Sequence, residues 1–582
     1  MSSVPSKAAQ GLNTAAPQVD RGRQAYPAGI PQTLDYPRFP AWGLLSRASS
    51  SVPQRIAVDF FGHTLSYAEV NLAAIRFANW LQRHGIGAGD RVGILLPNSP
   101  EYMIALNGIW RAGGVAVAIS PLSVAEDVRV LVEHTRCRFI VCFDMFLHLL
   151  PQSESIEYVI SSSLESYLPF WKAFAYRWLR WRCNRHSTSA EAIIPMWQAI
   201  ESGTTELTPV ERLPQRDPAY ILSTGGTTGS PKAVTLSHGN IVANATQQAI
   251  WAGGSMGQES MLAVLPFFHC YGMSTMLAGG AALGATLYIQ PRFRVRNALR
   301  AIERKRPTVF HAVPAMLAAM NKYLRRRPVD LRSLKWVISG GAALAPDVAK
   351  EFAHHSGAMV VEGYGLSEAS PVTHVGPLDG SNRTGTIGLP LPDTECRIID
   401  PETHQTVGDG NVGELVVRGP QVMLGYWQNQ VATEQTLRAG WLHTGDLAVR
   451  DADGFYRIVD RMKDLIITSG FNVYPSDVEE VIRSFAGVAD VAVVGVPCEM
   501  RGEIVKAFVV LQPRAVWDVN RLRAEAREKL AAHRRPLVWE QIHGDLPRNF
   551  LGKVQRRQLR LANRPTTSDS QSQDSQSQVK EN

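Results

Sequence analysis

No run of about 18 consecutive apolar residues occurs in this 582-residue chain, so no segment reads as a membrane-spanning helix. Cysteine is scarce. The six present (Cys137, Cys142, Cys183, Cys270, Cys396, Cys498) show neither CxxC nor Cys/His ligand spacing, which excludes a disulfide framework and a zinc module. Charge of one sign is also lacking: 60 Lys and Arg face 52 Asp and Glu, and no consecutive basic run is long enough to mark a nucleic-acid tail. The net +8 suits phosphate-bearing ligands or anionic lipid, and nucleic acid is not an expected partner. The opening MSSVPSKAAQGLNTAAPQVDRGRQ has no apolar core of a secretory signal, so the expected compartment is the cytoplasm.

With 45% hydrophobic and 19% charged residues, the chain can bury a large core and is long enough for more than one domain. Residues 1–35, rich in Ala, Gln, Pro and Ser, and the polar low-complexity stretch 564–582 cannot bury enough apolar surface to order themselves and are expected to be disordered tails. Between them, β-rich runs such as RVGILLP (91–97), FIVCF (139–143) and KWVISG (335–340) alternate with helix-period stretches such as 67–85. Such alternation implies parallel sheets with crossover helices. After VDRMKDLII the pattern restarts as helix, two strands and helix, which reads as a small α+β domain of about a hundred residues. The expected division is a large domain over 36–462 and a small one over 463–563.

The segment Tyr167–Arg185 departs from this alternation, with five basic residues, no acidic one and many aromatics. On a helix, Trp171, Phe174, Trp178 and Trp181 fall in one stripe. Two readings stay open for this basic aromatic segment (163–186): a helix lying on a lipid surface at the inner face of the membrane, or a stripe packed on the protein's own body with arginine stems laid over it.

The strongest local signal is YILSTGGTTGSPKAVTLSHGN, in which an apolar strand runs into Thr224, Gly225, Gly226, Thr227, Thr228, Gly229, Ser230, Pro231 and Lys232. Glycines let backbone N–H groups approach a phosphate, hydroxyls donate to its oxygens, and a lysine supplies compensating charge. A Walker loop is excluded because Ser230 and Pro231 stand between the last glycine and Lys232. The bland alternative is a flexible polar turn.

STGGTTGSPK resembles the signature loop of the adenylate-forming superfamily, which comprises acyl-CoA synthetases, luciferases and the adenylation domains of peptide synthetases. The resemblance continues in order through LPFFHCYGM (265–273), SGGAALAP (339–346), EGYGLSEASP (362–371), GWLHTGDLAVRDADGFYRIVDRMKDLIITSGFNVYPSDVEEVI (440–482) and LPRNFLGKVQRRQLR (546–560), and so covers nearly everything from about 40 to 563. It implies an α/β fold with a large N-terminal adenylate-forming domain of α/β subdomains and a small mobile C-terminal α+β domain.

The reaction so implied has a carboxylate attack the α-phosphorus of ATP, which requires neutralised phosphates and two anions held together. By resemblance, the loop Thr224–Ser230 with Lys232 cradles the triphosphate, Thr228 acting in catalysis, and Glu368 holds Mg2+. Tyr364 stacks on adenine, Gly341, Ala342 and Ala343 line the base's other side, and Glu362, Gly363, Gly365 and Ser367 belong to the same nucleotide-binding stretch. Asp446 accepts from the ribose hydroxyls, Arg461 donates to ribose or phosphate, and His269 stands between acyl pocket and adenylate. Lys463 marks a hinge. Lys553 enters for adenylation and, after rotation of the small domain, gives way to the Ser469–Pro475 segment, whose Gly470 lets the backbone approach the pantetheine arm of coenzyme A. Ala233, Gly225, Asn549 and Ser367 depart from common family residues without touching the reaction class.

The motifs look most like those of bacterial long-chain fatty acyl-CoA synthetases, which implies a medium- to long-chain fatty acid as substrate, with ATP, Mg2+ and coenzyme A. The near alternative is a fatty acyl-AMP ligase serving an acyl carrier protein. Such relatives carry an insertion after the hinge-proximal motifs, and VDRMKDLIITSGFNVYP runs uninterrupted. Aryl and short-chain acids stay open, as does a non-catalytic binding homologue, against which stands the joint presence of Lys232, Glu368, Asp446, Arg461 and Lys553.

Overall fold

Local capping fixes where the principal helices begin. Ser66 accepts the Glu69 amide at 3.2 Å while the Glu69 carboxylate accepts the Ser66 amide at 2.7 Å, opening the helix Tyr67–Arg83. Ser237 and Asn240 repeat the arrangement at 3.0 and 2.9 Å and start the helix His238–Trp251 directly after the strand Lys232–Ser237. The computed structural model describes residues 26–168, 170–183, 192–224, 232–469, 471–498, 501–549 and 552–561. Gly225–Pro231, with Gly225, Gly226, Thr227, Thr228, Gly229 and Ser230, lies outside the described residues, as do Gly470 and most of both expected tails.

The described elements make a mixed α/β protein of four sheets. One, of eight strands, places Pro218–Thr224 between Lys232–Ser237 and Val115–Ala118, and continues through Arg91–Leu95, Phe139–Phe143, Tyr158–Ser162 and Ala192–Pro195. A second, of nine strands, has at its centre the parallel run Ser260–Ala263, Val309–Ala312, Trp336–Ser339 and Met359–Gly365. The largest apolar cluster lies between these sheets and includes the fully buried Phe60, Tyr67, Phe77, Tyr102, Phe139, Tyr220 and Phe267. Burial at about 25 cal/mol per Å2 of apolar surface makes this cluster the main stabilising term.

Parallel alternation fails between 395 and 461, where Glu395–Ile399, Gly413–Arg418, Trp441–Arg450 and Tyr456–Arg461 pair antiparallel in a third sheet. Antiparallel neighbours need no crossover helix, and the connections here range from the five residues between Arg450 and Tyr456 to the 22 between Arg418 and Trp441, which include the helix Gln430–Thr436. The last sheet contains the long antiparallel pair Val488–Cys498 and Gly502–Leu511 with Val538–Gln541 parallel beside it, packed on the helices Pro475–Arg483 and Val519–Lys529. Its α+β content matches the expected small domain.

One expectation needs correction. Residues 26–35, assigned to a disordered tail, are tied to the body: the Tyr26 ring stands edge-on to Trp251 at 5.4 Å, and the Leu34 amide donates to Asp393 at 2.8 Å. Aromatic anchors outweigh the polar composition there. On the helix Phe170–Cys183, Trp171, Phe174 and Trp178 are 58%, 75% and 55% exposed, whereas Ala173 and Tyr176 are buried and Tyr176 donates to Asp144. The Trp181 side chain lies outside the described residues.

Candidate active site

Strands of the two large sheets deliver their carboxyl ends to one cavity of about 2140 Å3, which the third sheet and the C-terminal turn also reach. Lys232, His269, Gly341, Gly363, Tyr364 and Gly365 lie on its wall, together with Ser367, Glu368, Arg461, Lys463 and Lys553. Thr224 ends the strand that points toward it. Residues separated by more than 300 positions therefore share one site.

Two hydrogen-bonded groups organise the polar end. Asp446 is buried, and its carboxylate accepts from Tyr364 Oη at 2.6 Å and pairs with Arg461 Nε at 2.8 Å. Strand register explains the pairing, because Asp446 and Arg461 are direct cross-strand partners. The Asp446 charge holds Arg461 firmly protonated. Glu368 accepts from Tyr426 Oη at 2.8 Å, and Lys232 Nζ sits 4.8 Å from the centre of the same tyrosine ring. Tyr426 was not singled out from sequence. The signal is a pairing: Gly425–Tyr426 adds to the edge of Lys232–Ser237, setting Tyr426 opposite Val234.

Gly365 allows the backbone to fold tightly beside this group, since a Cβ there would meet the Pro371 carbonyl oxygen at 2.0 Å. Cys270 Sγ lies 3.1 Å from Ser367 Oγ, in a burial that pushes its thiol up to about 12. His269 Nδ1 accepts the Tyr271 amide at 3.2 Å, and burial lowers its pKa to about 4, so the imidazole is neutral at physiological pH.

Lys553 comes from the other end of the chain. The Asn549 side chain accepts its amide at 2.9 Å, and the Asn549 amide donates to the Lys553 carbonyl at 2.9 Å, closing a turn. Gly552 has φ +80°, and a Cβ there would stand 3.0 Å from Ala315 Cβ, so this turn rests against the large domain. Burial first, then the Arg461 charge, lowers the Lys553 pKa to about 8, while Asp446 and Asp464 oppose the shift. Lys463 is lowered by the same causes in the same order. Asp464 holds the C-terminal helix Arg556–Leu561 near this point, through Arg556 at 3.6 Å and Arg560 at 3.4 Å.

Of the assigned residues, Asp446 and three more are not part of the wall itself. Glu362 is not on the cavity wall: strand alternation turns it away from Gly363, and its carboxylate accepts the Leu344 amide at 3.0 Å, bracing the loop after Ser339. Desolvation raises its pKa to about 7. Ala342 and Ala343, which follow the positive-φ Gly341, are exposed and off the wall.

Beyond His269 the cavity becomes apolar. It follows the face of the nine-stranded sheet down to Met261, Val309 and Trp336, near the first residues of their strands, and is closed opposite by Trp251, Thr275 and Leu283. Among the described residues no cluster of three or more His, Cys, Asp or Glu could hold a metal by itself. Glu368 fits a hard cation that takes its remaining oxygens from phosphate and water, which is how Mg2+ is commonly held.

A cationic, carboxylate-bearing pocket continuous with an apolar channel, at the carboxyl ends of α/β strands, defines an enzyme that handles a nucleotide and an apolar acid. The chain belongs to the AMP-binding enzyme family: residues 45–427 match that family, and 477–553 match the AMP-binding enzyme C-terminal domain. It is 35% identical over 540 residues to a long-chain-fatty-acid–CoA ligase of Bacillus subtilis, covering 92% of this chain and 96% of that one. A long-chain-fatty-acid–CoA ligase of Salmonella typhimurium is 32% identical over 548 residues, 92% of this chain and 97% of the other. Among solved structures, ATP-bound MatB from Rhodopseudomonas palustris matches with TM-score 0.77 at 27% identity, covering 90% and 99% of the two chains. A Mycobacterium tuberculosis fatty acyl CoA synthetase matches with TM-score 0.67 at 26% identity, covering 90% and 98%.

Proposed function

We propose that this chain joins a medium- to long-chain fatty acid to coenzyme A at the expense of ATP, through an acyl-adenylate, releasing AMP and pyrophosphate. The observation that carries the proposal is the continuity of one cavity from Lys232, Glu368, Arg461, Lys463 and Lys553 to the apolar channel ending at Trp336. Anion-binding side chains gather where a triphosphate and a carboxylate must meet, and apolar side chains continue where a hydrocarbon must go.

In this reading Lys553 places its ammonium between carboxylate and α-phosphate. Arg461, locked by Asp446, donates to the nucleotide, and Lys232 with the Thr224–Ser230 loop faces the leaving phosphates. Neutral His269 orients the acid without adding charge. Mg2+ on Glu368 would neutralise phosphate charge. After adenylation, rotation of residues 463–563 about Lys463 withdraws Lys553 and brings up the strand Phe471–Val473 beside Gly470, where Ile467 and Phe471 stand exposed. Coenzyme A is the preferred acceptor over an acyl carrier protein, given the relatives of the chain. Thioester formation measured over acids of graded length, with coenzyme A and a phosphopantetheinylated carrier protein compared, tests both parts; transfer to the carrier alone would overturn the acceptor.

Peripheral contact with an anionic membrane belongs to the same reading. No helix among the described residues is long and apolar enough to cross a membrane. The exposed Trp171, Phe174 and Trp178 offer aromatic surface for the interface. Residues 292–335 hold thirteen Lys and Arg against two Asp and Glu, an excess of 11 where the whole chain has +8, so the remainder is net negative. All thirteen are exposed. Sedimentation with phosphatidylglycerol and phosphatidylcholine vesicles tests this, and equal binding to both would refute the electrostatic part.

A further inference from the structure

Channels that receive a plain hydrocarbon have no use for an unsatisfied polar group, because a buried donor or acceptor without a partner is costly. His311 is such a group. It lies on the strand Val309–Ala312, and its ring forms part of the cavity wall between the apolar Val309, Ile338 and Trp336. Its Nδ1 is enclosed and has no hydrogen-bond partner. Its nearest ring neighbour, Tyr271, meets it edge-on at 5.9 Å and spends its own hydroxyl on the Ile338 carbonyl at 3.2 Å. Burial lowers the His311 pKa to about 4, so the imidazole is neutral and carries one N–H and one acceptor nitrogen. With Nδ1 sealed off, the tautomer protonated at Nε2 leaves only a lone pair unused inside the protein and presents its N–H at the cavity. Gln248, on the helical wall, adds a complementary group. Its amide nitrogen donates to Asn244 and Ser274, each at 3.0 Å, which leaves the carbonyl oxygen as an acceptor on the same cavity.

Strand register sets the depth. His311 is opposite Ile338, two residues before Gly340, and Gly340 borders the polar end of the site. Two strand residues span about 7 Å, the reach of about five or six carbon–carbon bonds in an extended chain. We propose that the acyl channel is built for a fatty acid bearing an oxygen function, hydroxyl or keto, near carbons 5 to 7, which accepts a hydrogen bond from His311. This deepens the ligase reading above and rests on it.

Positional isomers provide the test, since they share composition and hydration and differ only in where the oxygen falls. Thioester formation is measured with dodecanoate and its 3-, 6- and 10-oxo derivatives. The 6-oxo acid is expected to exceed the 10-oxo acid in kcat/KM by about fivefold, the worth of one neutral hydrogen bond. His311→Leu should erase that difference, and His311→Gln, which keeps an N–H, should retain part of the preference. A wild-type enzyme indifferent to oxygen position, or a preference that survives in His311→Leu, overturns the inference. Failure to form thioester from any of the acids, dodecanoate included, would instead contradict the ligase reading beneath it.

Discussion

Removing the Lys553 side chain should separate the two half-reactions. The turn that carries it is held by backbone bonds and by the Asn549 side chain, so Lys553→Ala should fold normally. What disappears is one ammonium facing carboxylate and phosphate oxygens. Attraction across ~4 Å at an effective dielectric of ~20 is about 4 kcal/mol, which corresponds to about a thousandfold in rate. Pyrophosphate exchange with ATP, which reports adenylation, should fall by roughly that factor. Conversion of synthetic acyl-adenylate to thioester should stay within about threefold, because Lys553 has left the site by then. A pH profile adds a second readout. Burial and the Arg461 charge depress the Lys553 pKa to about 8, so its proton is lost at a lower pH than for an ordinary lysine, and the kcat/KM of the exchange should fall as pH rises through about 8. That limb should vanish in Lys553→Arg. Equal loss in both half-reactions, or an unchanged limb in the arginine variant, would refute the reasoning.

Tyr426→Phe deletes the bond to Glu368 but keeps the ring beneath Lys232, so exchange should drop about tenfold, in line with one hydrogen bond to a charged group, and an altered magnesium titration would register it. Glu362→Gln should stabilise the fold at high pH. Its carboxyl holds a proton up to about 7 in the fold against the ordinary 4.5, so stability is full below 4.5 and is lost as pH climbs to 7, at a cost of about 3 kcal/mol above it. Denaturant melts should show a gain at pH 8 and little at pH 5. Replacing Trp171, Phe174 and Trp178 together by Ala should lower binding to anionic vesicles while leaving turnover of a soluble acid unchanged, since all three are exposed. Flotation and a thioester assay read the two quantities.

The large elements were legible because their signals are periodic or chemical. FIVCF became the strand Phe139–Phe143, and the amphipathic stretch after Ser66 became the helix Tyr67–Arg83 with the cap its sequence encodes. The third sheet was not separable, because short antiparallel strands of mixed polarity carry little periodic signal. Among candidate site residues, Lys232, His269, Tyr364, Ser367, Glu368, Arg461, Lys463 and Lys553 share one cavity, whereas Glu362 does not reach it: motif membership says nothing about which face of a strand a side chain takes. Tyr426 and His311 were invisible for a related reason. Each acquires its place through pairing with a strand distant in sequence, and nothing local marks either one.

The central claim is that the acid's own carboxylate attacks the α-phosphorus of ATP. Incubating the enzyme with magnesium ATP, coenzyme A and a fatty acid labelled with oxygen-18 in its carboxyl group tests it directly. The account expects one labelled oxygen in the AMP formed, with pyrophosphate and thioester in equal amounts. Label absent from AMP, or nucleotide released as ADP, would contradict it.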